Sequence, residues 1–145
     1  MTDDGQGPLA DVEGNKRLVR RYYDEVLSGR NDALLSELLD PGFISHGPGG
    51  IAVGVEGYAL AVAATHAAFE DLGVVVYDQV AENDKVVTRW SATGTQTGVY
   101  VGVPASHRAV TVSGIHIHTV RHARLIEHWE EVDALGALRQ MGALG

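Results

Sequence analysis

AVTVSGIHIHTVRHARLIEHWEE, residues 109–131, carries the pattern of two long paired strands. Apolar and polar side chains alternate over Ala109–Arg121, the period of a half-buried strand. His122-Ala123 turns the chain into a last strand, Leu125–Glu131. Alternation puts Val112, Gly114, His116, His118 and Val120 on one face, and Ser113, Ile115, Ile117 and Thr119 on the other. In the last strand Ile126, His128 and Glu130 go together, against Leu125, Glu127, Trp129 and Glu131. A tight turn makes the two strands antiparallel, so His116 or His118 lies across from Ile126, His128 or Glu130. Two or three imidazoles and one carboxylate then crowd one patch. Spacing leaves the side of the sheet open: on the outer face the same histidines would be solvated or form a subunit contact.

Upstream, the same period marks two more strands, Val74–Val80 and Lys85–Thr95, joined by a tight turn at Asn83-Asp84. Val86, Thr88, Trp90 and Ala92 point one way, Val87, Arg89 and Ser91 the other. Gly98–His107 is a longer connection. Before these strands the period is helical. Leu18, Val19, Tyr22, Tyr23, Val26 and Leu27 define an amphipathic helix from Asn15 to Gly29, and Asp32 caps a short second helix stopped by Pro41. Phe43-Ile44 is a brief extended piece ending at His46. After the Gly47–Gly50 loop, an Ala-rich helix over residues 55–69 carries Tyr58, Val62, His66 and Phe69 on one side. Asp133 caps a final short helix through Leu135, Leu138 and Met141. Helices gathered before consecutive strands imply an α+β fold: a curved antiparallel sheet wrapped as a cone, an α+β barrel, around the N-terminal helices. Its cavity, between sheet and helices, is the expected ligand site. One domain, residues 14–145, follows a flexible tail, residues 1–13.

The chain has 145 residues with a net charge of -8 and scattered basic residues, which argues against nucleic-acid binding. Without cysteine there are no disulfides and no thiolate chemistry. Neither a signal peptide nor a membrane span is legible, so the expected location is cytoplasmic.

A carboxylate held in apolar surroundings has its charged form disfavoured, so its pKa rises from about 4.3 toward neutrality. It then takes a proton from carbon next to a carbonyl, while a histidine donates to the forming enolate. His116 and His118 with Glu130 or His128 are also a conceivable metal set, but the acid expected soon after a cupin-like His-x-His pair is missing from residues 119–125, and no metal or other cofactor is expected. His46 and His66 have ordinary readings as a loop residue and a packed or exposed helix residue. Asp133 is a rival acid whose position equally suits a helix cap.

Several segments together resemble the SnoaL-like polyketide cyclases, of the nuclear-transport-factor-2-like superfamily. They are residues 15–26, the run Leu39–His46, the strand Val86–Trp90, Gly94–Gly98 with Gly102–Ala105, and the tail Ile126–Trp129 with Asp133 and Leu138–Gly142. The resemblance implies a cone-shaped α+β barrel and cofactor-independent ring closure by an intramolecular aldol reaction. It places the acid/base on Glu130, the partner histidine on His118, its neighbour on His116, and a further family histidine on His128. Glu130 departs from the family's Asp by one methylene.

The expected function is therefore a polyketide cyclase or isomerase acting on a polycyclic or polyketide-like carbonyl compound. Glu130 is the base, His118 polarises the carbonyl, and His116, Tyr22, His46, Tyr58, Trp90, His128 and Asp133 line the site. The alternatives are an epoxide hydrolase or dehydratase whose carboxylate activates water, and a non-catalytic module binding a small apolar ligand. A homodimer or higher homo-oligomer is expected, with Ile115, Ile117 and Trp129 as its contact face.

Overall fold

The computed structural model describes residues 11–144. Most of the stretch read as a tail lies outside the described residues, but from Asp11 onward it is part of the fold. The Asp11 carboxylate accepts the Gly14 N–H at 2.8 Å and caps helix α1, Val12–Arg21. The first helix therefore starts earlier than its apolar stripe suggests. It continues as a widened π-helical segment, Tyr22–Ser28, closed by a bond from the Gly29 N–H to the Asp24 carbonyl. That widening lets the adjacent Tyr22 and Tyr23 both turn inward, their rings edge-to-face at 5.1 Å.

A 3-10 turn, Asp32–Leu34, leads into the short helix α2, Leu35–Leu38. Asp32 does not cap it; its carboxylate lies 3.0 Å from His66 Nδ1, and His66 Nε2 donates to the Leu27 carbonyl. His66 thus ties helix to helix. The brief extended piece proves longer than read: strand β1 runs Leu39–Gly47 and pairs with β2, Gly50–Val53. Helix α3, Gly54–Ala68, buries Tyr58, Val62 and His66. Strands β3 (Gly73–Glu82), β4 (Lys85–Thr95), β5 (Ala109–Arg121) and β6 (Arg124–Val132) follow, then helix α4, Ala134–Gln140.

The six strands form one sheet in the order β2-β1-β6-β5-β4-β3. The expected antiparallel run β3 to β6 is present, and β1 joins β6 in parallel, which no local pattern announced. β2 and β3 remain the two edges, so the curved sheet stays unclosed. His122 and Ala123 both take positive φ, 51° and 56°, the backbone of a two-residue hairpin whose twist matches that of its strands. Just after this turn β6 carries one extra residue: Thr119 faces Glu127 but Val120 faces Leu125. This bulge at Ile126 turns Leu125 into the core and corrects the simple alternation that had put Ile126 on the inner face with His128.

The main core lies between the inner face and the helices, built from Val19, Tyr22, Tyr23, Val26, Leu35 and Phe43 with the residues they meet on the sheet. On the outer face Ile115, Ile117 and Trp129 are exposed. Among the described residues no helix is long and apolar enough to cross a membrane.

Candidate active site

Two cross-strand rows build the site on the inner face. In one, Thr88 of β4, His116 of β5 and Glu130 of β6 stand opposite one another. In the other, Val86, His118, His128 and Ser45 do so across β4, β5, β6 and β1. The alternation of β5 thus delivers His116 and His118 to the same side, and that side is the interior.

His116 Nε2 lies 2.6 Å from Glu130 Oε2, and His116 Nδ1 lies 2.7 Å from Tyr23 Oη. Trp90 stacks on the His116 ring at 5.3 Å between centroids, 23° from parallel. The stack depends on Gly114, because a Cβ there would stand 2.4 Å from the Trp90 ring. Beside this pair, His128 Nε2 meets Ser45 Oγ at 2.7 Å and His128 Nδ1 meets His118 Nε2 at 3.1 Å. One of those two rings donates and the other accepts, a pairing that suits neutral imidazoles. Burial, and then the charges of the neighbouring histidines, hold both His118 and His128 well below the usual 6.5. Phe43 and Tyr58 each flank His128, and the Tyr22 and Tyr58 hydroxyls bond to each other. Burial above all, with the nearby Glu130 charge, raises the ionisation of both phenols above its usual range, and their contact raises it further for Tyr22 while lowering it for Tyr58.

The arrangement departs from the sequence expectation in four places. First, His118 is wholly enclosed and spends its Nε2 on His128, so it supports His128 instead of reaching a substrate carbonyl. Second, His46 faces outward: it bonds Glu127 at 2.6 Å and stacks on Trp129, because its neighbour Ser45 takes the inward position on β1. Third, Asp133 is exposed and accepts the Gly136 N–H at 2.9 Å, so its role is the cap of α4. Fourth, the inner cluster is closely packed, with Tyr22, Tyr23, Phe43, His116, His118 and His128 all buried. Two surface depressions, of about 320 and 550 Å³, lie elsewhere, beside Arg17 on α1 and between the β4–β5 connection and the C-terminal turn. The cluster reaches the surface at Glu130, whose side chain keeps 25% of its accessibility while His116 keeps 2%. The carboxylate is therefore not sealed in apolar surroundings.

Sequence reasoning missed Tyr23 and Ser45, the two partners that fix ring orientation. Tyr23 sat in the apolar stripe of the first helix and read as core, and Ser45 lay next to the more conspicuous His46.

The atoms of His116, His128 and Glu130 that could ligate a metal lie within 4.8 Å of one another. Each imidazole nitrogen of this trio already has a hydrogen-bond partner inside the protein, so the geometry describes a hydrogen-bonded network before it describes a metal cage.

The family model for SnoaL-like polyketide cyclase matches residues 17–141, nearly all of this fold. The chain belongs to the SnoaL-like polyketide cyclase family. It is 30% identical over 130 residues to the aklanonic acid methyl ester cyclase DauD of Streptomyces sp. (strain C5), covering 86% of this chain and 80% of that one. To DnrD of Streptomyces peucetius, also an aklanonic acid methyl ester cyclase, it is 29% identical, covering 86% and 88%. Among solved structures, TsrD from Streptomyces laurentii superimposes with a TM-score of 0.84 at 30% identity, over 92% of this chain and 98% of that one. A SnoaL-like protein of Jannaschia sp. CCS1 gives 0.86 at 28%, over 96% and 99%. As a SnoaL-like protein this chain has cyclases as its relatives, and its inner histidine–glutamate cluster lies within the matched residues.

Proposed function

We propose that this protein is a cofactor-independent cyclase that closes a ring in a polyketide-like carbonyl compound by acid–base chemistry, with Glu130 as the base. The observation that carries this reading is the His116–Glu130 pair: a carboxylate at the edge of a buried cluster, one oxygen held at 2.6 Å by a buried imidazole and a quarter of the side chain still exposed.

The electron accounting is that of an intramolecular aldol. Glu130 takes a proton from a carbon flanked by carbonyls, and the electron pair of the broken C–H bond becomes the enolate. The enolate carbon bonds to a second carbonyl carbon of the same molecule, whose π pair moves to its oxygen. The proton on Glu130 passes to that alkoxide, so the product is an isomer of the substrate and the base is restored. The Trp90 indole N–H, buried beside the His116–Glu130 pair without a protein partner, is suited to donate to the developing enolate oxygen. Tyr22, Tyr58 and Phe43 exclude water from the inner side of the pair.

Aklanonic acid methyl ester, on which the cyclase relatives act, is the first substrate to offer. The assay follows both ring closure and deuterium uptake from D2O at the acidic carbon. Closure at unchanged mass in H2O, with both signals lost in Glu130→Gln, is the expected result. Deuterium uptake without closure would show that Glu130 enolises the compound but would count against ring closure of it. Equal turnover by the wild type and Glu130→Gln would remove Glu130 as the base.

A further inference from the structure

Behind Glu130 a chain of hydrogen bonds runs into the core. A carboxylate only accepts, so the proton between His116 and Glu130 Oε2 sits on Nε2. A neutral ring then has a bare lone pair at Nδ1, and the atom facing it is Tyr23 Oη at 2.7 Å. Tyr23 is fully buried, and burial, reinforced by Tyr22 and by the charge of Glu130, holds its phenol well above the usual 10. It therefore keeps its proton and donates. Thr88, also fully buried, stands opposite His116 on β4, and its Oγ1 accepts from Gln79 Nε2 at 3.2 Å. Its own hydroxyl proton is thus free to serve the Tyr23 oxygen. Gln79 is held in place by a further bond from Nε2 to the Lys16 carbonyl at 3.3 Å. The donors next to the site point one way, from Tyr23 through His116 to Glu130, and behind them Gln79 donates to Thr88.

We infer that Tyr23 is a positioning residue that locks His116 in the Nε2–H tautomer, so that Glu130 Oε2 is always occupied and Oε1 is the atom that takes the substrate proton. The inference rests on the proposed role of Glu130 as base. In the opposite tautomer a bare Nε2 would face a carboxylate oxygen at the same short distance. That contact is repulsive unless Glu130 carries the proton, and a protonated Glu130 is no base. Oε1 lies on the side of Gly47, where an added Cβ would stand 3.7 Å away, so the reacting carbon approaches past a residue with no side chain.

The test reads the tautomer directly, by two-bond 15N–1H correlation in imidazole-labelled protein near neutral pH. Wild-type His116 is expected to show a protonated Nε2 and a bare Nδ1. In Tyr23→Phe the ring keeps its aromatic neighbour but loses the donor at Nδ1, and a population protonated on both nitrogens should appear, with Nε2–H still held by Glu130. With substrate, the same variant should lose about tenfold to a hundredfold in kcat with KM within about threefold, the range seen when an outer partner that orients a working imidazole is removed. A wild-type ring protonated on Nδ1, or on both nitrogens, would make Tyr23 an acceptor and overturn the inference. So would an Nδ1 that stays bare in Tyr23→Phe just as in the wild type. If that variant does not fold, the wild-type spectrum alone decides. The spectrum needs no substrate, so a failure to find turnover counts against the cyclase reading and not against the tautomer lock.

Discussion

Two histidine–glutamate pairs, both 2.6 Å long, sit on opposite faces of the same sheet. Inside, His116 meets Glu130 with its ring 2% exposed; outside, His46 meets Glu127 with both side chains about a third exposed, 31% and 28%. The inner ring has Tyr23 on its second nitrogen and Trp90 on its face. The outer ring lies flat on Trp129, 5.2 Å away and 6° from parallel. A short contact therefore does not mark a site. Water screens the outer pair down to about 0–1 kcal/mol, whereas in the enclosed cluster the same contact dictates which nitrogen carries a proton.

The largest effect should separate the two glutamates. Glu130→Gln is expected to lower kcat by about 10²–10⁴-fold, the usual contribution of a positioned acid–base group, while Glu127→Gln leaves it unchanged. Steady-state kinetics of both variants on one substrate checks this, and equal losses would erase the distinction between the faces.

The next effect is on stability against pH. His118 and His128 titrate well below 6.5 in the folded protein, whereas in the unfolded chain they bind protons near that value. Their stabilising effect is complete above about pH 6.5 and declines as the pH falls below it, by about 1.4 kcal/mol per pH unit for each ring. Urea unfolding at several pH values measures the slope, and His118→Leu should reduce it. A flat profile would mean that the folded interior accepts the protons.

Gly114→Ala forces a methyl group into the Trp90 ring and should cost about 1–3 kcal/mol, with a change in tryptophan fluorescence as the indole moves off His116. The smallest effect belongs to the outer face. His46→Ala should change unfolding free energy by less than about 1 kcal/mol, and that change should shrink further in salt. A larger loss would show that the outer pair is less screened than its exposure implies.

Much of this was legible before any coordinates. The alternation of β5 put His116 and His118 on one side, and the His122-Ala123 turn made β5 and β6 antiparallel, but counting from that turn alone would set His116 against Trp129 and His118 against Glu127; the bulge at Ile126 is what brings Glu130 to His116 and His128 to His118. The bulge at Ile126 was not legible, because an extra residue in a strand leaves no mark on period-two counting. His46 was misplaced because β1 was read as a fragment. Only its full length, paired with β6, shows that Ser45 faces in and His46 faces out.

By itself the sequence determined the helices and the strands β3 to β5 with their local phase, since helical and strand periods are properties of neighbouring residues. It also carried the family, through motifs spread over most of the chain. The tertiary structure decided what depends on partners distant along the chain: the parallel entry of β1 beside β6, the inward turn of both tyrosines of the first helix, and the burial of the histidine cluster beneath them. It decided the chemistry of the cluster as well. Tyr23 and His116 are far apart in the chain, and only packing brings the phenol to the one nitrogen that Glu130 leaves bare.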